Sequence, residues 1–387
     1  MTAIKYKKVS EVCEIIMGQS PSSDTYNDRK EGLPFFQGKA DFGKLYPTPK
    51  TYCSAPLKIA NENDILMSVR APVGDVNIAN TKCCIGRGLA AIRANNDMIN
   101  YKYLFYALNY KKNEIESMGT GSTFKAISKK DIESIKIPVS DIENQVKIVK
   151  ALDKAQELID KRKAQIEALD QLTQSVFLEM FGNLKGEKVP LSELCYINPS
   201  KKEIENIDKE FPVTFLPMAN VSENGELDLS ETRLIKEVFE SFTYFREGDV
   251  LFAKITPCME NGKGAIARNL INNIGFGSTE FHVLRPKENV NSTWLYYLTS
   301  LQSFRKQAEA NMTGSAGQKR VPKQFFSKYK VVLPPIELQN QFAKIVQKIQ
   351  SQKEIIKKSL EELENNFNSL MQRAFKGELF NELMNTK

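Results

Sequence analysis

The chain has 387 residues, 41% hydrophobic and 26% charged, with a formal net charge of +7 at pH 7. That is room for two or three domains with cores of their own, in an ordinary soluble composition. No apolar run reaches the length of about 18 residues that a membrane-spanning helix needs, and six cysteines without a CxxC pair, beside a single histidine, exclude His-metal clusters and zinc-type cysteine sites.

The N-terminal stretch MTAIKYKKVSEV lacks the apolar core of a signal peptide, so the expectation is a cytoplasmic protein with plain thiols. Residues 1–140 read as an α+β domain. Runs such as DILMSV (64–69) and AAIRA (90–94) are strand signals bounded by turn formers. IGRGLA (85–90) is a turn between strands, and a short helix is expected over 101–118. The loop MGTGST (118–123) follows. This segment carries 20 Lys and Arg against 14 Asp and Glu, the largest basic surplus in the chain.

From 139 to 181 there is neither proline nor glycine, and a heptad frame aligns Gln145, Ile148, Leu152, Ala155, Ile159, Arg162, Ile166, Leu169, Thr173, Val176 and Met180. Such a helix is about 60 Å long, and Gly182 stands where a helix stop wants glycine. Residues 183–335 return to α+β character. DVLFAKI (249–255) and EFHVLRP (280–286) read as strands, 292–311 as a helix and MTGSAG (312–317) as a loop. His282 lies in the second strand, which predicts a structural role. Residues 336–376 again lack proline and glycine. Their frame aligns Val346, Ile349, Lys353, Ile356, Leu360, Leu363, Phe367, Leu370 and Ala374, with Gly377 beyond. Two matched long helices in one chain favour packing against each other, with faces left for other subunits.

The second half repeats the first. NENDILMSVR (61–70) matches REGDVLFAKI (246–255), and NYKYLFYAL (100–108) matches NSTWLYYLT (291–299). IPVSDIENQVKIV (137–149) matches LPPIELQNQFAKIV (333–346), which pairs Asn144-Gln145 with Asn340-Gln341. The aromatics Phe35, Phe36, Tyr46, Tyr52, Tyr244 and Phe245 read as core or sheet-face residues. No P-loop, no G-x-G-x-x-G opening a βαβ unit, no HExxH and no Asn/Asp-Pro-Pro-aromatic methyltransferase signature occurs. A chain this long without catalytic apparatus points to binding or assembly.

SVRAPVGDVNIA with CCIGRGLAAIR in the first half, KITPCMENGKGAI with GFGSTEFHVLRP in the second, both helix-opening phrases and the ending SLMQRAFKGEL together resemble the DNA specificity subunit of type I restriction–modification systems, over essentially the whole chain. The resemblance implies two α+β target-recognition domains in pseudo-two-fold repeat, each followed by a long helix, with the helices pairing as an antiparallel coiled coil. The boundaries expected are 1–140 and 183–335 for the recognition domains, 141–182 and 336–387 for the spacer helices. It further implies a non-catalytic chain that reads a bipartite site in double-stranded DNA. Two methyltransferase subunits would dock on it and carry S-adenosylmethionine. ATP and Mg would belong to restriction subunits, the ATP-dependent translocase and endonuclease. A specificity component of another restriction architecture remains an alternative, as does a coiled-coil scaffold whose α+β domains bind protein.

DNA readers need cations for phosphates and Arg, Lys, Asn or Gln for base edges. Two glycine-bearing loops combine these: Gly121, Ser122 and Lys125 with Lys129, and Gly314, Ser315, Gln318, Lys319 and Arg320 with Lys323. Glycine lets backbone approach a phosphate that hydroxyls and lysines can bind. Arg70, Arg87, Lys254, Lys263 and Arg268 are further candidates, each open to a second reading as a surface charge or structural ion pair.

Overall fold

The computed structural model describes residues 5–120, 125–315 and 317–379. Two compact units emerge, Met1–Lys163 with Lys358–Lys387, and Ala164–Lys357.

In the first unit the strands Lys5–Lys8 and Lys136–Val139 pair antiparallel. A four-stranded antiparallel sheet has the order Cys13–Met17, Leu89–Ala94, Ile65–Ser68, Val76–Ile78. A five-stranded sheet runs Tyr26–Asn27, Thr51–Cys53, Leu33–Phe36, Cys83–Ile85, Ile59–Ala60, with Leu33–Phe36 parallel to Cys83–Ile85. The strand Ile65–Ser68 is buried on both faces. Alternation explains this: Ile65 and Met67 face Tyr103 and Leu104 of the helix Tyr101–Tyr110, while Leu66 faces Phe36, Ile85 and Leu89. A strand packed on both sides reads as a continuous apolar run.

The second unit repeats the plan. Lys188–Pro190 pairs with Lys330–Val332, and a four-stranded sheet runs Cys195–Ile197, Phe281–Pro286, Val250–Ala253, Gly264–Ile266. A mixed sheet runs Thr232–Leu234, Pro212–Leu216, Ile274–Gly277, Thr243–Arg246, its middle two strands parallel. Val250 and Phe252 face one core cluster and Leu251 another. The helices expected over 101–118 and 292–311 each break once, at Lys111 and at Leu301. The extended backbone of Leu301 turns the following segment so that Phe304 enters the core.

The long helices span Ile142–Phe181 and Ile336–Lys376, and every residue of both heptad frames is buried or half-buried. In the first unit Ile148, Val149 and Leu152 share a core with Phe367, Leu370, Ala374 and Phe375, and Lys163 pairs with Glu364 at 2.7 Å. Early residues of one helix meet late residues of the other, so the pairing is antiparallel. The second unit shows the same sense: Phe177 stacks edge-on against Phe342, and Lys353, the polar member of the second frame, is 2% exposed with Nζ 2.7 and 2.9 Å from the Asp170 oxygens. Phe177, Phe342 and Phe375 are buried anchors outside the frames. Of the aromatics expected inside, Phe35, Phe36, Tyr244 and Phe245 are buried. Tyr46 is instead 42% exposed, because it sits in a turn closed by the Gly43 N–H on its own carbonyl.

The repeat has a different register from the one that residue identity suggests. Gln145 and Gln339, not Gln341, are counterparts, three residues into their helices and fully buried. Gln145 Oε1 accepts the Asn100 N–H at 2.8 Å, and its Nε2 donates to Met98 O and Ser140 O. Gln339 Oε1 accepts the Asn291 N–H at 2.8 Å, and its Nε2 donates to Asn289 O and Pro334 O. Asn100 and Asn291 in turn cap the helices that follow them. Each glutamine thus locks the start of a long helix to the cap of a domain helix. Gln341 is exposed.

Candidate nucleic-acid interface

Each glycine loop is tied to its sheet in the same way. In the first unit Thr120 and Ala126 exchange two backbone hydrogen bonds, the Ala71 N–H donates to Lys125 O and the Ile127 N–H to Val69 O. In the second, Thr313 and Arg320 exchange two, the Thr256 N–H donates to Lys319 O and the Val321 N–H to Lys254 O. Four equivalent bonds hold each loop against the end of a core strand. Gly314 and Gly317 have φ of +126° and +83°, a region glycine enters freely. Gly121 and Ser122 lie outside the described residues. Lys125 is exposed, and Lys129 stands 3.8 Å from Glu133 on the next helix.

Arg70 and Arg87 come together in the first unit. Arg70 follows the strand Ile65–Ser68, and Arg87 sits in the turn after Cys83–Ile85, where its N–H donates to Ser20 Oγ at 3.2 Å. Both line a cleft of about 160 Å3 with Ser20, Gln37, Gly38, Lys39, Ser68 and Gly88. Among the described residues neither guanidinium has a carboxylate partner, while Lys39 pairs with Asp75 at 2.7 Å. Gly88 sets the wall: a Cβ there would lie 2.2 Å from Gln37 O.

The second unit fills the corresponding place. The Gly86 N–H donates to Phe36 O as the Ser278 N–H donates to Leu216 O, and the Val69 N–H donates to Gly88 O as the Lys254 N–H donates to Glu280 O. Arg87 therefore corresponds to Thr279, Gly88 to Glu280, Arg70 to Ile255 and Ala126 to Arg320. Arg320 makes a forked pair with Glu280 at 2.8 to 3.1 Å, and this holds the Glu280 carboxyl below the usual carboxylate range. Lys254 stands beside them, its pKa lowered by burial, with Glu280 opposing and Arg320 reinforcing the shift. Gln318 O accepts from Arg320, and Lys319 and Lys323 are exposed nearby. Lys263 is held apart, its Nζ donating to Met218 O at 3.1 Å. Arg268 donates to Thr293 Oγ1 and lines a groove beside the second long helix. Glu280, Ser20, Gln37 and Gly88 shape these places without having been singled out in the sequence. The contrast of GSTEF (277–281) with its first-half partner IGRGL (85–89) was the signal available for Glu280.

His282 is a core residue. It is buried with Nε2 2.8 Å from Val321 O, Nδ1 3.1 Å from Asn198 Nδ2, and an edge contact on Phe326. Burial pushes its pKa down to about 4, so the neutral ring donates from Nε2 and accepts at Nδ1. Burial likewise raises the Cys13, Cys83 and Cys195 thiols to about 12, which keeps them protonated and unreactive. Among the described residues no group of three or more His, Cys, Asp or Glu could hold a metal ion, and no helix is long and apolar enough to cross a membrane.

Residues 1–169 and 183–365 match the family described as the type I restriction modification DNA specificity domain. Over 157 residues the chain is 55% identical to the putative type I restriction enzyme MjaX specificity subunit of Methanocaldococcus jannaschii, covering 40% of this chain and 37% of that protein. Over 156 residues it is 40% identical to the type I restriction enzyme EcoAI specificity subunit of Escherichia coli, covering 40% of this chain and 26% of that protein. The matched stretches thus span well under two thirds of either relative. A crystal structure of a type I restriction–modification system S subunit from M. genitalium is similar in fold, with a TM-score of 0.53 at 15% identity over 97% of this chain and 96% of that one.

Proposed function

The chain belongs to the type I restriction modification DNA specificity family, and from that premise we propose that it is the non-catalytic, sequence-reading subunit of a DNA-methylating and restricting complex. The observation that carries the reading is the duplicated scaffold with unlike loops. The sheet order, loop anchoring and glutamine locks recur in both units, while the side chains at the loop ends differ. A scaffold repeated this way suits two copies of one partner and two different half-sites. On this reading residues 1–140 and 183–335 are the recognition domains, and 141–182 with 336–387 are the spacer helices.

The partners are two methyltransferase subunits and the restriction subunits that work with them. S-adenosylmethionine, ATP and Mg reside on those subunits. Leu158, Leu172, Leu178 and Ile355 support docking on the long helices, since each is a large apolar side chain left at least 40% exposed. Lys125, Lys129, Lys319 and Lys323 are exposed cations suited to phosphates. Gly314, Ser315 and Gln318 bring backbone and hydrogen-bonding groups to the second loop, and Gly121 and Ser122 belong to the same proposed DNA-binding set by their residue types. Lys254, Lys263 and Arg320 act as second-unit readers through the Glu280 cluster and the Met218 turn.

The experiment is a genome-wide map of N6-methyladenine with and without this chain. Loss of one bipartite motif on deletion is the expected result. A methylating complex whose map is the same without the chain would overturn the reading.

A further inference from the structure

We propose that the cleft of the first unit reads guanine, and that Arg70 and Arg87 are the side chains that set this choice. The inference rests on the reading of the chain as a DNA-specificity subunit and deepens it.

The cleft offers donors with few competing acceptors. Ser20 Oγ already accepts the Arg87 N–H, and Ser68 Oγ donates to Arg70 O. Lys39 is engaged by Asp75. Arg70 and Arg87 are exposed, line the cleft with Gln37, and have no carboxylate partner among the described residues. A guanidinium donates only, through a planar fork. In the major groove guanine presents two acceptors, N7 and O6, to such a fork. Adenine and cytosine each present an amino donor there, and thymine one oxygen and a methyl group. Paired forks therefore select guanine and meet a mismatched group on any other base.

A phosphate is the competing acceptor, and the repeat argues against it. Phosphate contacts carry no sequence information, so both units need them alike. A base contact is what has to differ between two half-sites. The backbone anchors of this place are the same in both units, yet Arg87, Gly88, Arg70 and Ala126 are exchanged for Thr279, Glu280, Ile255 and Arg320. In the second unit the carboxylate and guanidinium satisfy each other. In the first, Gly88 and Ala126 supply no such pair, and among the described residues neither arginine has a carboxylate partner. The difference falls where specificity must lie.

The test is selection of a randomised duplex library by the purified complex containing this chain, followed by sequencing. For the wild type the expected motif is bipartite, with guanine in one half-site. Arg70→Ala and Arg87→Ala each relax selection at a guanine of that half-site by about tenfold, leaving the other half-site intact. Arg87→Lys keeps the charge but loses the fork, and relaxes the same position. Uniform weakening of all sequences with an unchanged motif would assign the arginines to phosphate and overturn the inference. So would relaxation at a base other than guanine, or full specificity in Arg87→Lys. A complex that enriches no bipartite motif would remove the underlying reading itself, which separates the two failures.

Discussion

Gln339→Leu is expected to loosen the second unit by about 2 kcal/mol. The side chain is fully buried and satisfies three backbone groups, the Asn291 N–H and the Asn289 and Pro334 carbonyls. Each such bond contributes about 1 kcal/mol net, and the greater apolar burial of leucine offsets about 1 kcal/mol of that sum. The assay is urea unfolding followed by fluorescence. Trp294 is the sole tryptophan, lies 1% exposed in the helix that Asn291 caps, and so reports on the segment being released. With a urea slope of about 2 kcal/mol per molar, the midpoint falls by about 1 M. Gln341→Leu is the control, because that exposed residue is the partner suggested by residue identity alone. It should leave the midpoint unchanged. A Gln339→Leu shift below about 0.3 M, or an equal shift in Gln341→Leu, would refute the lock.

Asp170→Asn should cost about 3 kcal/mol in the same assay, since it leaves the Lys353 ammonium, 2% exposed, without a carboxylate; Lys163→Ala, at the solvent-exposed pair with Glu364, should cost less than about 0.5 kcal/mol, and the reverse ranking would contradict the burial argument. His282 has a folded pKa of about 4 against an ordinary 6.5. The unfolded chain therefore takes up the proton first, and stability is lost as pH falls from 6.5 towards 4, by up to about 3 kcal/mol. Stability measured against pH should be flatter over that window in His282→Asn, and an identical slope would show that the ring is not the titrating group. Affinity of the complex for its DNA site should fall at least about tenfold between 50 and 200 mM salt through counterion release; a flat dependence in a filter-binding titration would leave the exposed lysines without a phosphate role.

The long helices were legible because their sequence lacks breakers and keeps a heptad frame from Gln145 to Met180 and from Val346 to Ala374. The two-faced strands were legible as strands, but not as the middle layer between a helix and a second sheet, since an apolar run such as ILM does not say what covers each side. The register of the repeat was misread at Gln341. Identity favoured the Asn-Gln pair, whereas the fold is fixed by which glutamine lies three residues into the helix, and that depends on where the helix begins, just after Asp141 in one half and Pro335 in the other, whose carbonyls accept the Gln145 and Gln339 N–H groups. At the interface, Arg70 and Arg87 could be named as candidates, but their meeting in one cleft depends on a sheet edge that joins residues 17 apart. Arg320 looks the same in sequence as Arg87. Only the fold reveals that Glu280, 40 residues away, is within reach of Arg320, whereas Arg87 has no carboxylate partner among the described residues.

The composition of the first unit from separated stretches has a consequence for how the chain is made. Its core includes Phe367, Leu370, Ala374 and Phe375, with Phe375 5.3 Å from the rings of both Tyr103 and Tyr110. A ribosome delivers Tyr103 more than 260 residues before Phe375, whereas the second unit, Ala164–Lys357, is one uninterrupted stretch. The half that is synthesised first is thus completed last, and its apolar seam on Ile148 and Leu152 waits uncovered through most of translation. Chaperone occupancy on stalled nascent chains should persist until the final helix emerges.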